Sequence, residues 1–401
     1  MRVAIIGAGA AGCFCAVVLK RLRPEVDVTI FERARRPMVK LALTGGGRCN
    51  LTNTFDHVTD LAQAYPRGAR LMQRLFRQFG PEETFRWWEE QGVRLVVQDD
   101  DCVFPASQDA REIVGTLLTA MRQADVHLRT NAKVTNVENG NASCLVRTET
   151  TCETFDRVLV ATGGSPRPSG LAFLPDTAIV APVPSLFAMN AGDESLHALT
   201  GTVVERCQIA VAGTKFRAEG TLLLTHFGFS GPAMLRLSSY AARHLAGLDY
   251  RATLLVNWMQ GANEEEVRRT LTTFRQSTKL TANHHPLHLT SRHWLYLLTR
   301  AHVAPTQRWD ALNAKEANRL LSVLTADTYP TAGRCAYKGE FVTCGGVSLR
   351  EVDSATLALK HHPRIHLAGE ALDIDGITGG FNLQAAWTTG YVVAHAIARD
   401  A

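Results

Sequence analysis

An α/β fold is predicted, with one parallel, nucleotide-binding sheet drawn from both ends of the chain around a long insertion. Three observations predict it. The first 32 residues, MRVAIIGAGAAGCFCAVVLKRLRPEVDVTIFE, read as strand, glycine turn, helix, strand and terminal acid. Val158 to Ala161 is a buried strand that stops in Thr162-Gly163-Gly164. From Ile365 the chain reads strand, Gly369-Glu370, glycine loop and long helix. The texture changes from about Ala191 and then returns, the pattern of a discontinuous domain.

The N-terminal element carries the clearest chemistry. Arg2 to Ile6 is a short apolar run suited to a buried parallel strand. Gly7, Gly9 and Gly12, with Ala10 and Ala11 between them, give G-x-G-x-x-G in strict spacing, and a helical run follows to about Leu22. Gly7 permits the tight turn, Gly9 lets the backbone approach a pyrophosphate, and Gly12 lets the helix pack on the strand. The helix N-terminus presents unpaired N–H groups to that pyrophosphate. A second strand, Val26 to Phe31, ends in Glu32, twenty residues past Gly12. A carboxylate there accepts both ribose hydroxyls of an adenosine. Glu32 also disfavours a 2′-phosphate, an objection that Arg33, Arg35 and Arg36 soften. The reading is a Rossmann-like dinucleotide domain.

Next comes RPMVKLALTGGGRCNLTN, Arg36 to Asn53. Three successive glycines followed by Arg48, Cys49 and Asn50 make a loop whose backbone approaches something closely. Lys40 and Arg48 suit a phosphate or an anionic ring system. Ala69 to Gln91 is helical with a break at Gly80-Pro81. Val93 to Gln98 and Cys102 to Phe104 form a hairpin around three aspartates, Asp99 to Asp101. These lack the alternating spacing of a calcium loop. Asp109 to Arg122 is a helix capped by Ser107 or Asp109. Strands follow at Val126 to Thr130, Lys133 to Glu138, Ser143 to Thr148 and Arg157 to Ala161.

In the insertion, Val203 to Val211, Lys215 to Leu224 and Tyr250 to Val256 read as strands. Ser230 as cap and Pro232 in the first turn start a helix that runs to Leu245. His226 lies in the loop just before it. Asn263 to Gln276, Arg292 to Arg300 and Asn313 to Leu324 are helices. Asn283 to His293 carries four histidines (His284, His285, His288, His293) without acidic or cysteine neighbours. It reads as a solvated connector, and no metal is expected. Strand character returns at Gly333 to Val342, before Thr343-Cys344-Gly345-Gly346-Val347.

Composition sets bounds. The 401 residues suggest two or three domains. Hydrophobic content of 46% and charged content of 20% fit a globular protein. A net charge of +5 is mild and implies no nucleic-acid partner by itself. No long uncharged apolar stretch predicts a membrane span, and no signal-peptide pattern is read at the start. Nine scattered cysteines without a C-x-x-C pair fit a reducing, cytoplasmic setting.

The C-terminal unit narrows the cofactor. Gly376 to Gly380 forms a glycine loop, and Phe381 to Arg399 is a helix carrying Ala385, Ala386 and Gly390 for tight packing. Its N-terminus would point back into the dinucleotide site. A helix N-terminus beside a flavin's pyrimidine edge stabilises negative charge there. A plain nicotinamide dehydrogenase needs no such second element.

The chain resembles the BaiN/YhiN-type family of FAD-dependent oxidoreductases, with a glutathione-reductase-like FAD fold. The resemblance runs from residue 1 to 401 and rests on GAGAAG (Gly7 to Gly12), KLALTGGGRCNLTN (Lys40 to Asn53), VFPAS (Val103 to Ser107), VLVATGGSPRP (Val158 to Pro168), LTHFGFSGPAML (Leu224 to Leu235), TCGGVSL (Thr343 to Leu349) and AGEALDIDGITGGFNLQAAWTTG (Ala368 to Gly390). It implies an FAD domain of residues 1–191 and 346–401. It implies an inserted substrate domain, 192–345, with a β-barrel part at about 192–258 and 331–345 and a helical part at about 259–330. FAD would be held by Gly7, Gly9, Ala10, Ala11, Gly12, Glu32 and Arg33 at the ADP half, with Val134 at the adenine. Lys40, Gly46, Gly47, Arg48, Cys49 and Asn50 would lie along the ring, and Thr162, Gly163 and Gly164 near the adenosine. Gly369 and Glu370 would reach the ribityl chain. Asp373, Gly380, Phe381, Asn382 and Leu383 would line the pyrimidine end. His226 is the candidate proton donor or acceptor.

The expected activity is hydride transfer through a non-covalent flavin, reducing a small unsaturated organic substrate. The chain has no second G-x-G-x-x-G, so NAD(P)H would bind transiently as donor. Three alternatives stand beside it: an amine-type oxidase, an NAD(P)-dependent dehydrogenase without flavin, and an FAD-fold RNA-modification protein. The last would use the basic residues Arg268, Arg269, Arg275, Lys279, Arg292, His293 and Arg300.

Overall fold

A computed structural model of the chain describes residues 1–335 and 342–401. They fall into two compact units: Met1–Val183 with Val342–Ala401, and Pro184–Phe341 as far as it is described.

The first unit is built on a five-stranded sheet. Its strands are β1 (Arg2–Ile6), β2 (Asp27–Phe31), β3 (His127–Arg129), β4 (Arg157–Val160) and β5 (Ile365–Leu367), in the order β5-β4-β1-β2-β3. Every pairing is parallel: Val3 stands between Val28 and Arg157, and Val158 pairs with Ile365. The central strands are apolar because both faces are covered.

Helix α1 (Ala10–Leu22) returns the chain between β1 and β2, and Ala11 through Leu19 are all buried. Helix α2 (Ala110–Gln123) is capped by Asp109, whose carboxylate accepts the Arg111 N–H at 2.9 Å. Helix α3 (Phe381–Arg399) packs along α1. Gly390 allows their close approach: a Cβ there would stand 2.9 Å from the Ala11 carbonyl oxygen. The Phe14 ring sits among Phe79, Trp87 and Trp387 at centroid distances of 4.6–5.6 Å. Two small antiparallel sheets complete the unit: Thr52–Asn53 with Cys102–Pro105 and Leu95–Val97, and Val134–Asn139 with Cys144–Thr148 and Cys152–Phe155. Ile179–Ser185 pairs with Val342–Val347.

The second unit contains a closed six-stranded barrel. Around it run Met189–Ala191, Gly228–Ser230, Arg217–Leu224, Val203–Val211, Thr253–Asn257 and Asp327–Arg334. The helices Glu264–Phe274, Ser291–Arg300 and Ala314–Ala326 share the barrel's apolar core through Trp258, Trp294 and Trp309.

Four expectations need correction here. The helix expected from Ser230 starts one residue later. Ser230 still belongs to a strand, and Gly231, at φ +86°, makes the turn. That helix also breaks in two, Pro232–Tyr240 and Ala242–Gly247. The last barrel strand begins at Asp327, not Gly333, and residues 336–341 of the expected strand lie outside the described residues. The histidine segment is a solvated connector only in part. Asn283, Leu287 and His288 are exposed, but His285 stacks on Trp294, His288 bonds the Trp258 carbonyl through its ring nitrogen at 3.0 Å, and His293, in the helix that follows, is buried against Trp258.

Candidate functional site

The site is built within the first unit, from the C-terminal ends of its parallel strands. At the end of β1 the Gly7 N–H donates to Phe31 O at 2.8 Å, and Gly7 takes φ +107°. A Cβ on Gly7 would lie 2.5 Å from Ala161 O, and one on Gly12 would lie 2.2 Å from Gly7 O. Both glycines are therefore demanded by the protein itself. Gly9 is different. Its backbone is extended, at φ −89° and ψ −170°, and a Cβ would meet nothing nearer than Ala161 O at 3.8 Å. Nothing in the protein requires a glycine there, whereas a pyrophosphate against the backbone would. Gly9 caps α1, whose first N–H groups have no partner within the helix. Ala10 and Ala11 form that first turn.

Glu32 follows β2 and is pre-oriented by its own backbone. Its Oε2 accepts the Ala8 N–H at 2.9 Å, and its Oε1 accepts the Ala34 N–H at 2.8 Å. The Glu32 carbonyl accepts the Ala132 N–H at 2.8 Å. This brings the segment leading to Val134, which is buried, to the same edge. Arg33 is exposed beside it.

The glycine-rich loop, Thr44–Gly47, is a left-handed turn in which Gly45, Gly46 and Gly47 all have positive φ. A Cβ on Gly46 or Gly47 would meet nothing within 4 Å, so this backbone presents an open face. Lys40 is exposed on the short helix just before it. Arg48 folds back over its own loop: its Nε donates to Gly45 O at 3.2 Å, and its guanidinium lies 4.5 Å from the Phe104 ring centre. Cys49 is buried. Burial pushes its thiol up to about 12, a hydrogen bond with Thr44 offsetting part of the rise. It carries no thiolate near neutrality. Asn50, its amide turned to suit its neighbours, donates to Thr52 O at 3.0 Å and accepts the Gly380 N–H at 3.2 Å.

Glu370 joins two segments. Its carboxylate accepts the Gly164 N–H at 3.3 Å and the Thr343 N–H at 3.4 Å. Thr162 is exposed, and Gly163 takes φ +71°. Gly369 sits against Ala11, and its N–H donates to the Thr389 hydroxyl at 2.9 Å. The N- and C-terminal motifs are thus stitched together at three places: Gly369 on Ala11, Glu370 on Gly164, and Gly380 on Asn50.

The segment from Asp373 to Asn382 is clamped from both sides. Asn382 exchanges hydrogen bonds with the Gly376 peptide, accepting its N–H at 2.8 Å and donating to its carbonyl at 2.9 Å. The Phe381 ring is buried, 5.0 Å from Phe55, and its carbonyl accepts the Tyr65 hydroxyl at 2.8 Å. The side chains of Phe381 and Asn382 therefore shape the loop. Leu383 is half-buried in the first turn of α3. Asp373 is half-buried, with its N–H on Val347 O at 2.9 Å.

One ion pair here went unread in the sequence. Arg67 grips Asp375 in a two-toothed pair, Nε to Oδ1 and Nη2 to Oδ2, with the Asp375 side chain fully buried and that of Arg67 12% exposed. Burial works against the Arg67 charge, but the bonds and charge of Asp375 outweigh it, aided by Cys344 and Asp373. The two backbones also bridge at these residues, and Ile377 N–H donates to Ala64 O at 2.9 Å. Breaking such a pair from one side strands a buried charge, at a cost of about 3–5 kcal/mol.

Two groups of predicted residues belong to the second unit. His226 is one, and its ring packs 5.0 Å from that of Phe227. The basic residues of the helical part are engaged locally. Arg268 and Arg269 pair with Glu264 and Glu265, Arg275 donates to Leu312 O, Arg292 to the Thr202 hydroxyl, and Arg300 pairs with Asp193 and Asp327.

Among the described residues, no helix is long and apolar enough to cross a membrane. The family model described as HI0933-like protein Rossmann domain matches residues 1–396. A ribosomal RNA dihydrouridine synthase of Escherichia coli (strain K12) is 27% identical over 417 residues, covering 97% of this chain and 96% of that protein. A 3-dehydro-bile acid delta(4,6)-reductase of Clostridium scindens is 26% identical over 423 residues, covering 99% of both. Among solved structures, a 3-ketosteroid-delta4-(5alpha)-dehydrogenase from Rhodococcus jostii RHA1 is similar with a TM-score of 0.49 and 12% identity, covering 98% of this chain and 96% of that one.

Proposed function

The chain belongs to the HI0933-like family and is an FAD-dependent oxidoreductase, and from that premise we propose that it uses NADH or NADPH to reduce a carbon–carbon double bond of a small unsaturated organic substrate. The observation that carries the flavin part is the stitching of the Gly369–Asn382 segment onto the fingerprint at Ala11, the glycine loop at Asn50 and the Gly164 turn, which a nicotinamide dehydrogenase has no use for. The names of the relatives support the acceptor: a 4,6-unsaturated 3-oxo bile acid and the uracil of uridine both hold a double bond conjugated to a carbonyl.

FAD supplies the hydride relay when bound. The chain's residues hold and tune it. The Gly9 backbone and the first turn of α1 receive the pyrophosphate. Glu32 accepts the adenosine ribose hydroxyls, and its charge selects against a 2′-phosphate there. Gly163 and Gly164 approach the adenosine side and Glu370 the ribityl chain, while Gly46 and Gly47 lie along the ring. The N-terminus of α3 at Gly380 offers about half a unit of positive charge to the pyrimidine end.

The test is an absorption spectrum of the purified protein, followed by anaerobic addition of NADH and NADPH separately. Flavin bands that bleach with one nucleotide are the expected result and identify the donor. Bands that persist with both overturn the nucleotide-linked reading in favour of a donor substrate. Absence of bands after reconstitution with FAD sinks the flavin itself. A second reading, with uridine in ribosomal RNA as acceptor, has the dihydrouridine synthase relative in its favour. It predicts dihydrouridine in rRNA, measured by mass spectrometry, with the reduced enzyme reoxidised by rRNA and not by a conjugated enone.

A further inference from the structure

We infer that Arg67 is the positioning residue of the flavin-ring half of the site: through Asp375 it fixes the Asp373–Gly380 segment, and so decides how tightly and at what potential the ring is held. The inference rests on the flavin reading above. Arg67 stands outside every predicted motif, in the turn before the helix Ala69–Leu75. Its fork matches the Asp375 carboxylate tooth for tooth, a geometry that fixes orientation as well as distance.

The surroundings show that the pair holds a segment and not merely a contact. Residues 64–68 grip 374–377 by four means: the ion pair, the backbone bridge of Arg67 with Asp375, the bond from Ile377 N–H to Ala64 O, and the Gly68 backbone pressed on Ile374. The last is so close that a Cβ on Gly68 would lie 2.7 Å from Ile374 Cγ1. Immediately beyond the grip, Gly376 exchanges bonds with Asn382 in the first turn of α3, and Gly380 meets Asn50. A displacement at Asp375 therefore reaches the N-terminus of α3 within one loop. Arg67 also acts electrostatically on Asp373 and Cys344. By contrast, Gly9 and Glu32 take their geometry from β1, β2 and the Ala34 backbone, without Arg67. The ADP half and the ring half of the site thus have separate supports.

That separation makes the inference testable with two probes, ADP and FAD, titrated into apoprotein. Two variants are used: Arg67→Lys, which keeps the charge but loses the fork, and the double variant R67M/D375N, which leaves no buried charge unpaired. ADP binding is expected to stay within twofold of the parent protein in both. FAD binding is expected to weaken at least tenfold, and the midpoint potential of the flavin that does bind is expected to move. Equal loss of ADP and FAD together with a lowered melting temperature of the apoprotein in both variants would show a purely structural role and overturn the inference. So would unchanged FAD affinity and potential. If the parent protein binds ADP but no FAD, it is the flavin reading that fails, and the positioning role falls with it.

Discussion

Two glycines three residues apart do opposite work in the fingerprint loop. Gly12 is held by its own protein, since a Cβ would sit 2.2 Å from Gly7 O. Gly9 is free of such contacts and serves whatever lies against it. Gly12→Ala is expected to destabilise the fold by about 1–3 kcal/mol through overpacking, read as a lower urea midpoint. Gly9→Ala is expected to leave that midpoint within its error while weakening binding of ADP and FAD alike by tenfold or more, read by titration. The fingerprint was legible because its whole grammar, strand, turn, helix and acid, lies within 32 consecutive residues. Arg67 was not, because its partner is 308 positions away and neither residue carries a local pattern. Cys49 shows a third case. Its place in the motif was legible, but its burial and its raised pKa depend on the folded surroundings.

At the level of elements, the packing of α3 on α1 governs whether the C-terminal motifs reach the fingerprint. Both helices are apolar on nearly every face, as elements of a buried layer are. Their separation is set at Gly390. Gly390→Ala places a methyl carbon 2.9 Å from Ala11 O and 3.4 Å from the Phe14 ring. Since a main-chain oxygen cannot step aside, the helices must part. The expected cost is about 1–3 kcal/mol, visible in thermal melts, with FAD affinity falling in parallel because Gly369 rests on Ala11. The small residues of α3 announced tight packing in the sequence. The start of the barrel helix was harder. Ser230 reads as the cap, and only its pairing with Leu223 on the neighbouring strand keeps it out of that role.

For the whole molecule, acid is the condition that discriminates. His293 in the second unit and His366 in the first are both pushed down to about 4, mainly by burial, so both are neutral when folded at pH 7. In the unfolded chain each titrates near 6.5. The unfolded state therefore takes up protons first as pH falls. Stability is lost progressively from about pH 6.5 down to about 4 and levels off below that, by roughly 2 kcal/mol per histidine between pH 7 and 5. Urea unfolding across that range checks it, and His293→Leu is expected to flatten the acid limb. The histidine-rich segment had the composition of a solvent-exposed linker. The burial of His293 and the stacking of His285 are properties of the tryptophans they meet, Trp258 and Trp294, and neither announces the partnership along the chain.

The interleaving of the two units has a consequence for the order in which the protein is made. β5 and α3 are synthesised last, yet they complete a sheet and a helical layer begun in the first twenty-two residues. Between Leu22, where α1 ends, and Phe381, where α3 begins, stand 358 residues. At ribosomal rates of about 5–20 residues per second, α1 spends roughly 18–72 seconds without α3 against it. Cofactor loading at a site that needs the Gly369–Asn382 segment thus follows the synthesis of that segment. The growing chain needs its wide apolar helix shielded for that interval, a natural task for a chaperone.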